Sequence, residues 1–111
     1  MKKILITIAL MLSVLQAESV YVKYRGLVNV DRMVTKPIGY SSFVKDIKYN
    51  AKYRYLLVNL KGTYYHYCLV PQNVVNEWIN SSSLGRYYLN NIKGRYDCRY
   101  SPMPTDEQLR R

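Results

Sequence analysis

From residue 42 onward the chain carries three β-rich runs in quick succession, over residues 42–49, 53–60 and 63–70. Asn50, Ala51 and Lys52 separate the first pair and Lys61-Gly62 the second, spacings that fit antiparallel hairpins. A three-stranded meander is therefore predicted. Side chains alternate across a strand, so Leu56, Val58 and Leu60 share one face of the second run, while Tyr65 and Tyr67 in the third lie opposite His66 and Cys68. An apolar face of this kind needs a helical cover. Pro71 is suited to a helix start, where its missing N–H goes unused. Val74, Val75, Trp78 and Ile79 then build one apolar stripe, with Asn73, Asn76, Glu77 and Asn80 turned to water. Ser81, Ser82 and Ser83 interrupt that helix and offer an N-cap for a second. Its inward side is Leu84, Tyr87, Tyr88 and Ile92, and Gly94 is its stop. The expected fold is α+β: a three-stranded antiparallel β-meander followed by two α-helices packed on one face, with a short N-terminal β arm.

The two ends read differently from this middle. Met1, Lys2 and Lys3 precede an apolar run from Ile4 to Leu15, and Leu15-Gln16-Ala17 supplies a small residue at a cleavage point, the three parts of a secretory leader. That run is too short for a membrane span, which takes about 20 residues. Residues 18–36 carry the alternation Val20, Val22, Tyr24 and read as an extended arm; Pro37 restricts Lys36 to extended backbone. The compact domain is placed at residues 37–99. Residues 100–111 hold Pro102, Pro104 and unpatterned charge, and are expected to be disordered.

Charge and cysteine content then narrow the chemistry. The 111 residues include 17 Lys and Arg against 7 Asp and Glu, a net charge of +10. Loss of Lys2 and Lys3 with the leader still leaves +8, so anionic partners are favoured. Two cysteines in a small exported domain point to a disulfide, Cys68 with Cys98, rather than a metal site or a nucleophile. The Cys-x-x-Cys spacing of redox-active thiols is lacking. His66 is the only histidine, and neither a metal-ligand set nor a nucleophile-base pair is legible around it. No carboxylate pair with glycosidase spacing and no phosphate-cradling glycine loop is present. The expectation is a non-enzyme without cofactor or metal.

Several separated motifs resemble one family. Ser41-Ser42-Phe43 stands before the first strand. Gly62-Thr63-Tyr64-Tyr65-His66-Tyr67 is followed by Val70-Pro71, and Ser83-Leu84-Gly85-Arg86-Tyr87-Tyr88-Leu89-Asn90-Asn91-Ile92 leads into Tyr96. In this order they are similar to the KTSC domain family, a small bacterial module found alone and at the C-terminus of some lysyl-tRNA synthetases. The family's central Tyr-x-Tyr is here Tyr65-His66-Tyr67. The resemblance spans residues 37–99 and implies no established activity; RNA binding is the suggestion its synthetase context carries.

The chain's own residues add a mixture of cations and tyrosines after the first helix. Arg86, Lys93, Arg95, Tyr96 and Arg99, with Tyr65 and Tyr67, are the candidate binding residues: guanidinium forks hold phosphate and carboxylate, and tyrosine faces stack on bases or sugars. The bland alternative is that the tyrosines pack inside and the cations only solvate the surface. Three functions remain. The first is an exported binding or adaptor module, periplasmic or secreted, for an anionic or glycan envelope component or a protein partner. The second is a nucleic-acid (RNA) binding module, which export opposes. The third is a small hydrolase or an inhibitor of one, centred on His66. The first is preferred. Protein expressed with its own leader is expected to appear outside the cytoplasm without residues 1–17 and with both thiols refractory to alkylation before reduction; intact mass of the fractionated product checks this.

Overall fold

The structure, a computed structural model, describes residues 17–111; the predicted leader up to Gln16 lies outside the described residues. Strands β1 (Ser19–Val22), β2 (Gly26–Asn29), β3 (Val34–Thr35), β4 (Val44–Asn50), β5 (Tyr55–Leu60) and β6 (Thr63–Tyr67) form one sheet in the order β2-β1-β6-β5-β4-β3. Neighbours run antiparallel except β1 and β6, which are parallel. Helix α1 spans Gln72–Ile79 and α2 spans Leu84–Tyr87, continuing as a π-helical turn over Tyr88–Ile92, and α3 spans Asp106–Arg110.

The sheet is six-stranded and mixed, which overturns the expected three-stranded meander with two helices on one face. Strands β4, β5 and β6 do pair in sequence, with Leu57 opposite His66 and Val58 opposite Tyr65, but they are the middle of a wider sheet. Beyond β4 lies β3, with Val34 opposite Tyr49. Beyond β6 lies β1, where Val22 meets Tyr64. The expected N-terminal arm is itself a hairpin: Tyr24 (φ 71°) and Gly26 (φ 104°) take left-handed backbone and reverse the chain so that Tyr21 faces Leu27.

The physical reason lies in β5. Tyr55, Leu56, Leu57 and Val58 are all fully buried, so this strand is apolar on both faces and helices on one side cannot satisfy it. Leu56 and Val58 pack with Val75, Trp78, Leu84, Tyr88 and Ile92 beneath α1 and α2. Tyr55 and Leu57 pack on the opposite side with Val22, Val28, Val30, Met33 and Leu109. The N-terminal hairpin and the C-terminal helix supply that second cover.

The residues expected to be a disordered tail are thus part of the core. Thr105 accepts from the Gln108 N–H (3.1 Å) while Gln108 Oε1 accepts from the Thr105 N–H (2.9 Å), a reciprocal cap. Asp106 and Glu107 in the first turn suit the helix dipole, and Leu109 is fully buried.

On the other face, Pro71 is the N-cap of α1 rather than its first residue. Trp78 Nε1 donates to the Leu84 carbonyl at 2.9 Å, tying α1 to α2, and the Ser83 hydroxyl accepts from the Arg86 N–H. Cys68 and Cys98 form a disulfide with Cα atoms 5.0 Å apart, across 30 positions of sequence. Such a link disfavours the unfolded chain by about 3.5 kcal/mol in the chain-entropy model. Leu109→Ala is expected to cost about 2–4 kcal/mol in urea unfolding, the range for emptying a buried leucine site; a tail without structure would leave the midpoint unchanged.

Candidate functional site

Alternate residues of a strand turn their main-chain groups to opposite edges. The Lys61-Gly62 turn closes on Leu60 and Thr63, and Tyr65 and Tyr67 stand opposite Val58 and Leu56. Tyr64, His66 and Cys68 accordingly direct N–H and C=O away from β5. The Tyr64 carbonyl accepts from the Lys23 N–H and the Cys68 N–H donates to the Tyr96 carbonyl, both at 2.9 Å. Between these two closures, at His66, a cleft of about 440 Å³ opens.

Three segments build it. The β1–β2 turn contributes Lys23 and Tyr24, and β6 contributes Tyr65, His66 and Tyr67. The segment after α2 contributes Gly94, Asp97, Cys98 and Arg99, and the disulfide fixes that segment to the end of β6. Lys23 Nζ stands 5.4 Å from the Tyr24 ring centroid and 5.7 Å from that of Tyr65, a cation shared by two aromatic faces. Arg99 clasps Asp97, with Nη2 to Oδ2 at 2.7 Å and Nε to the same oxygen at 3.0 Å. Those side-chain bonds hold the Asp97 carboxyl below its ordinary range, yet Arg99 stays 77% exposed with donors to spare.

Behind the cleft lies a buried polar chain. Tyr55 Oη is 2.8 Å from His66 Nδ1. The Arg25 guanidinium sits 5.3 Å from the Tyr55 ring centroid; its side chain is only 8% exposed and pairs with Asp106 at 3.0 Å and the Pro104 carbonyl at 2.8 Å. Which of the two groups donates follows the imidazole tautomer. Burial first, and the Arg25 charge second, push the His66 pKa below its usual value, against a weaker pull from Asp97. His66 is a neutral imidazole at neutral pH.

The hydroxyls of Tyr64, Tyr67 and Tyr88 are engaged within the protein. Tyr67 and Tyr88 share a hydrogen bond, and burial drives the Tyr67 pKa far up. Tyr64 donates to Asp46 and is pushed up to about 12, chiefly by burial.

Of the residues singled out in the sequence, Tyr65, Tyr67 and Arg99 line the cleft. Arg86, Lys93 and Arg95 are exposed outside it, and Tyr96 packs against the helix-side core. Lys23, Tyr24 and Asp97 were not among the predicted binding residues; the signal for the first two was the sequence Lys23-Tyr24-Arg25-Gly26, a turn that carries an aromatic and a cation to the sheet edge. Among the described residues no three His, Cys, Asp or Glu side chains gather into a metal-binding group.

A small mixed-sheet module, pinned by one disulfide and bearing an aromatic, cationic cleft at the edge of a central Tyr-x-Tyr strand, is the class of protein this describes. The sequence model of the KTSC domain matches residues 40–96, just over half of the chain, and the protein belongs to that family. A solved KTSC domain protein, YPO2434 from Yersinia pestis, is similar at 27% identity with a TM-score of 0.54, over 59% of this chain and 92% of that one. No curated protein matches. Lys23, Tyr24, Asp97, Cys98 and Arg99 all fall outside the matched span, whereas Tyr65, His66, Tyr67 and Gly94 fall inside it.

A histidine held neutral in the folded state and free to protonate when unfolded makes stability depend on pH. With the folded pKa lowered, the unfolded chain binds more protons, so stability is full above about 6.5 and is lost as pH falls from there through the folded value. The urea midpoint is expected to drop between pH 7.5 and 5.5, above the range where Asp97 titrates, and His66→Gln is expected to flatten that slope.

Proposed function

We propose that this KTSC protein is an exported, non-enzymatic binding module that holds an anionic partner in the cleft beside Tyr65-His66-Tyr67. The observation that carries the reading is Lys23: its ammonium rests between the Tyr24 and Tyr65 rings with no carboxylate paired to it among the described residues. A cation kept at an aromatic mouth, with Arg99 lining the same cleft, is a receptor for carboxylate or phosphate carried on a group that stacks. The net charge adds long-range attraction. Export to the periplasm or the exterior, after cleavage near Ala17, is supported by the N-terminal pattern and by the disulfide.

The groups that would do chemistry are otherwise engaged. His66 Nδ1 is occupied by Tyr55, Asp97 is held by Arg99, and both cysteines are joined. Binding without turnover is the reading these engagements support.

RNA binding is a second reading, favoured by cation-backed tyrosines on the surface. Lys45 lies 5.7 Å from the Tyr40 ring and Arg99 5.3 Å from that of Tyr100, and both rings are largely exposed, as stacking platforms for bases would be.

Nitrogen-15 NMR titration with polygalacturonate, with uncharged dextran as control and oligouridylate as competitor, separates the readings. Polygalacturonate is expected to move the amides of Lys23, Tyr24, residues 65–67 and residues 97–99. Lys23→Ala and Arg99→Ala should each weaken it by about three- to tenfold, the size of one exposed charge-assisted contact. Shifts centred on Tyr40 and Tyr100 with oligouridylate alone would favour RNA, and the absence of any anion-induced shift in the cleft would overturn the proposal.

A further inference from the structure

The cleft holds an unused piece of sheet edge. Tyr64 is closed by β1 and Cys68 by the residue 94–99 segment, but His66, which turns its main-chain N–H and C=O to the same edge, has no backbone partner there among the described residues. A donor and an acceptor at the spacing of one extended residue are thus presented inside a recess, and an unpaired strand edge is a template for another main chain. Lys23 stands at one end of this gap and Arg99 lines the same recess. With Nδ1 taken by Tyr55, Nε2 has no hydrogen-bond partner within the described protein and belongs to a side chain that lines the cleft.

We infer, resting on the binding role proposed above, that the partner is a short acidic peptide in extended conformation, one residue of which pairs with His66 as an added strand while its carboxylates face Lys23 and Arg99. The two closures limit the added strand to a single pairing residue, because a longer one would have to displace the Lys23–Tyr64 or the Cys68–Tyr96 bond. The ligand is therefore a chain end or a short linear segment rather than a whole strand. Main-chain pairing gives orientation, and the cations select acidic over neutral sequences.

The test uses acetyl-Glu-Ala-Glu-amide as probe, its Gln-Ala-Gln counterpart, and a series in which each backbone amide is N-methylated in turn. The acidic peptide is expected to bind the disulfide-intact protein and to slow hydrogen exchange of the His66 amide at least tenfold at saturation. Methylation at one amide should weaken binding about tenfold or more, as for a lost hydrogen bond plus a steric clash, while methylation elsewhere changes little. The Gln peptide should bind several-fold more weakly, and Lys23→Ala should erase most of that preference. Equal tolerance of methylation at every amide, or peptide binding with unchanged His66 exchange, overturns strand addition. Binding of polygalacturonate in the cleft with none of the peptide overturns the peptide assignment and leaves the anion-binding role standing. Failure of both probes to perturb the cleft overturns the two together.

Discussion

Four consecutive apolar residues, Tyr55 to Val58, set the terms for the whole molecule. A strand buried on both faces must be covered twice, and a chain this short has little material for it. The helices α1 and α2 take one side. The other falls to the N-terminal hairpin, Val30 and Met33 just after it, and the final helix, which meet over Tyr55 and Leu57. Both ends of the described chain are thereby drawn into the core, and their turns are brought to the edge of β6.

The cleft is a product of that demand. β1 extends the sheet beyond β6 but pairs with it only through Val22 and Tyr64, and the return from α2 is joined to β6 at Cys68. The interval between the two contacts is an opening walled by three segments, with Tyr55 and Arg25 as its buried support. Arg25 connects the pieces most directly: it leaves the β1–β2 turn, lies over Tyr55 behind His66, and ends on Asp106 of α3.

Much of the central architecture was legible because its signals are local. Strand spacing, the Val74-Val75-Trp78-Ile79 stripe and the serine cap each act within a few residues, and the cysteine pair was legible because the chain has two cysteines. The sheet's true width was not, since β3 contributes two residues and β1 pairs in parallel across the whole length of the domain. The clue was present in Tyr55-Leu56-Leu57-Val58, where Leu57 on the supposedly open face has no place in a one-sided sheet. The tail misled through Pro102 and Pro104: prolines and charge read as disorder, while Thr105 and Gln108 in capping positions and Leu109 four residues beyond Thr105 spelled a short amphipathic helix. Of the site, Tyr65, Tyr67 and Arg99 were legible from residue type alone. The turn at Lys23-Tyr24-Arg25-Gly26 was legible as a turn, but its place beside β6 depends on the tertiary path of the hairpin, so Lys23 and Tyr24 could not be assigned to the site.

One turn residue carries a further implication. Tyr24 occupies left-handed backbone, a conformation that costs a non-glycine residue about 1–2 kcal/mol and is seldom taken by a bulky ring. Its ring is 83% exposed, so packing returns almost nothing against that cost. Glycine would suit the backbone better and asparagine nearly as well, but neither would set an aromatic face beside Lys23. The turn is therefore a point of local frustration, where the easiest backbone and the mouth of the cleft make opposite demands on the same position.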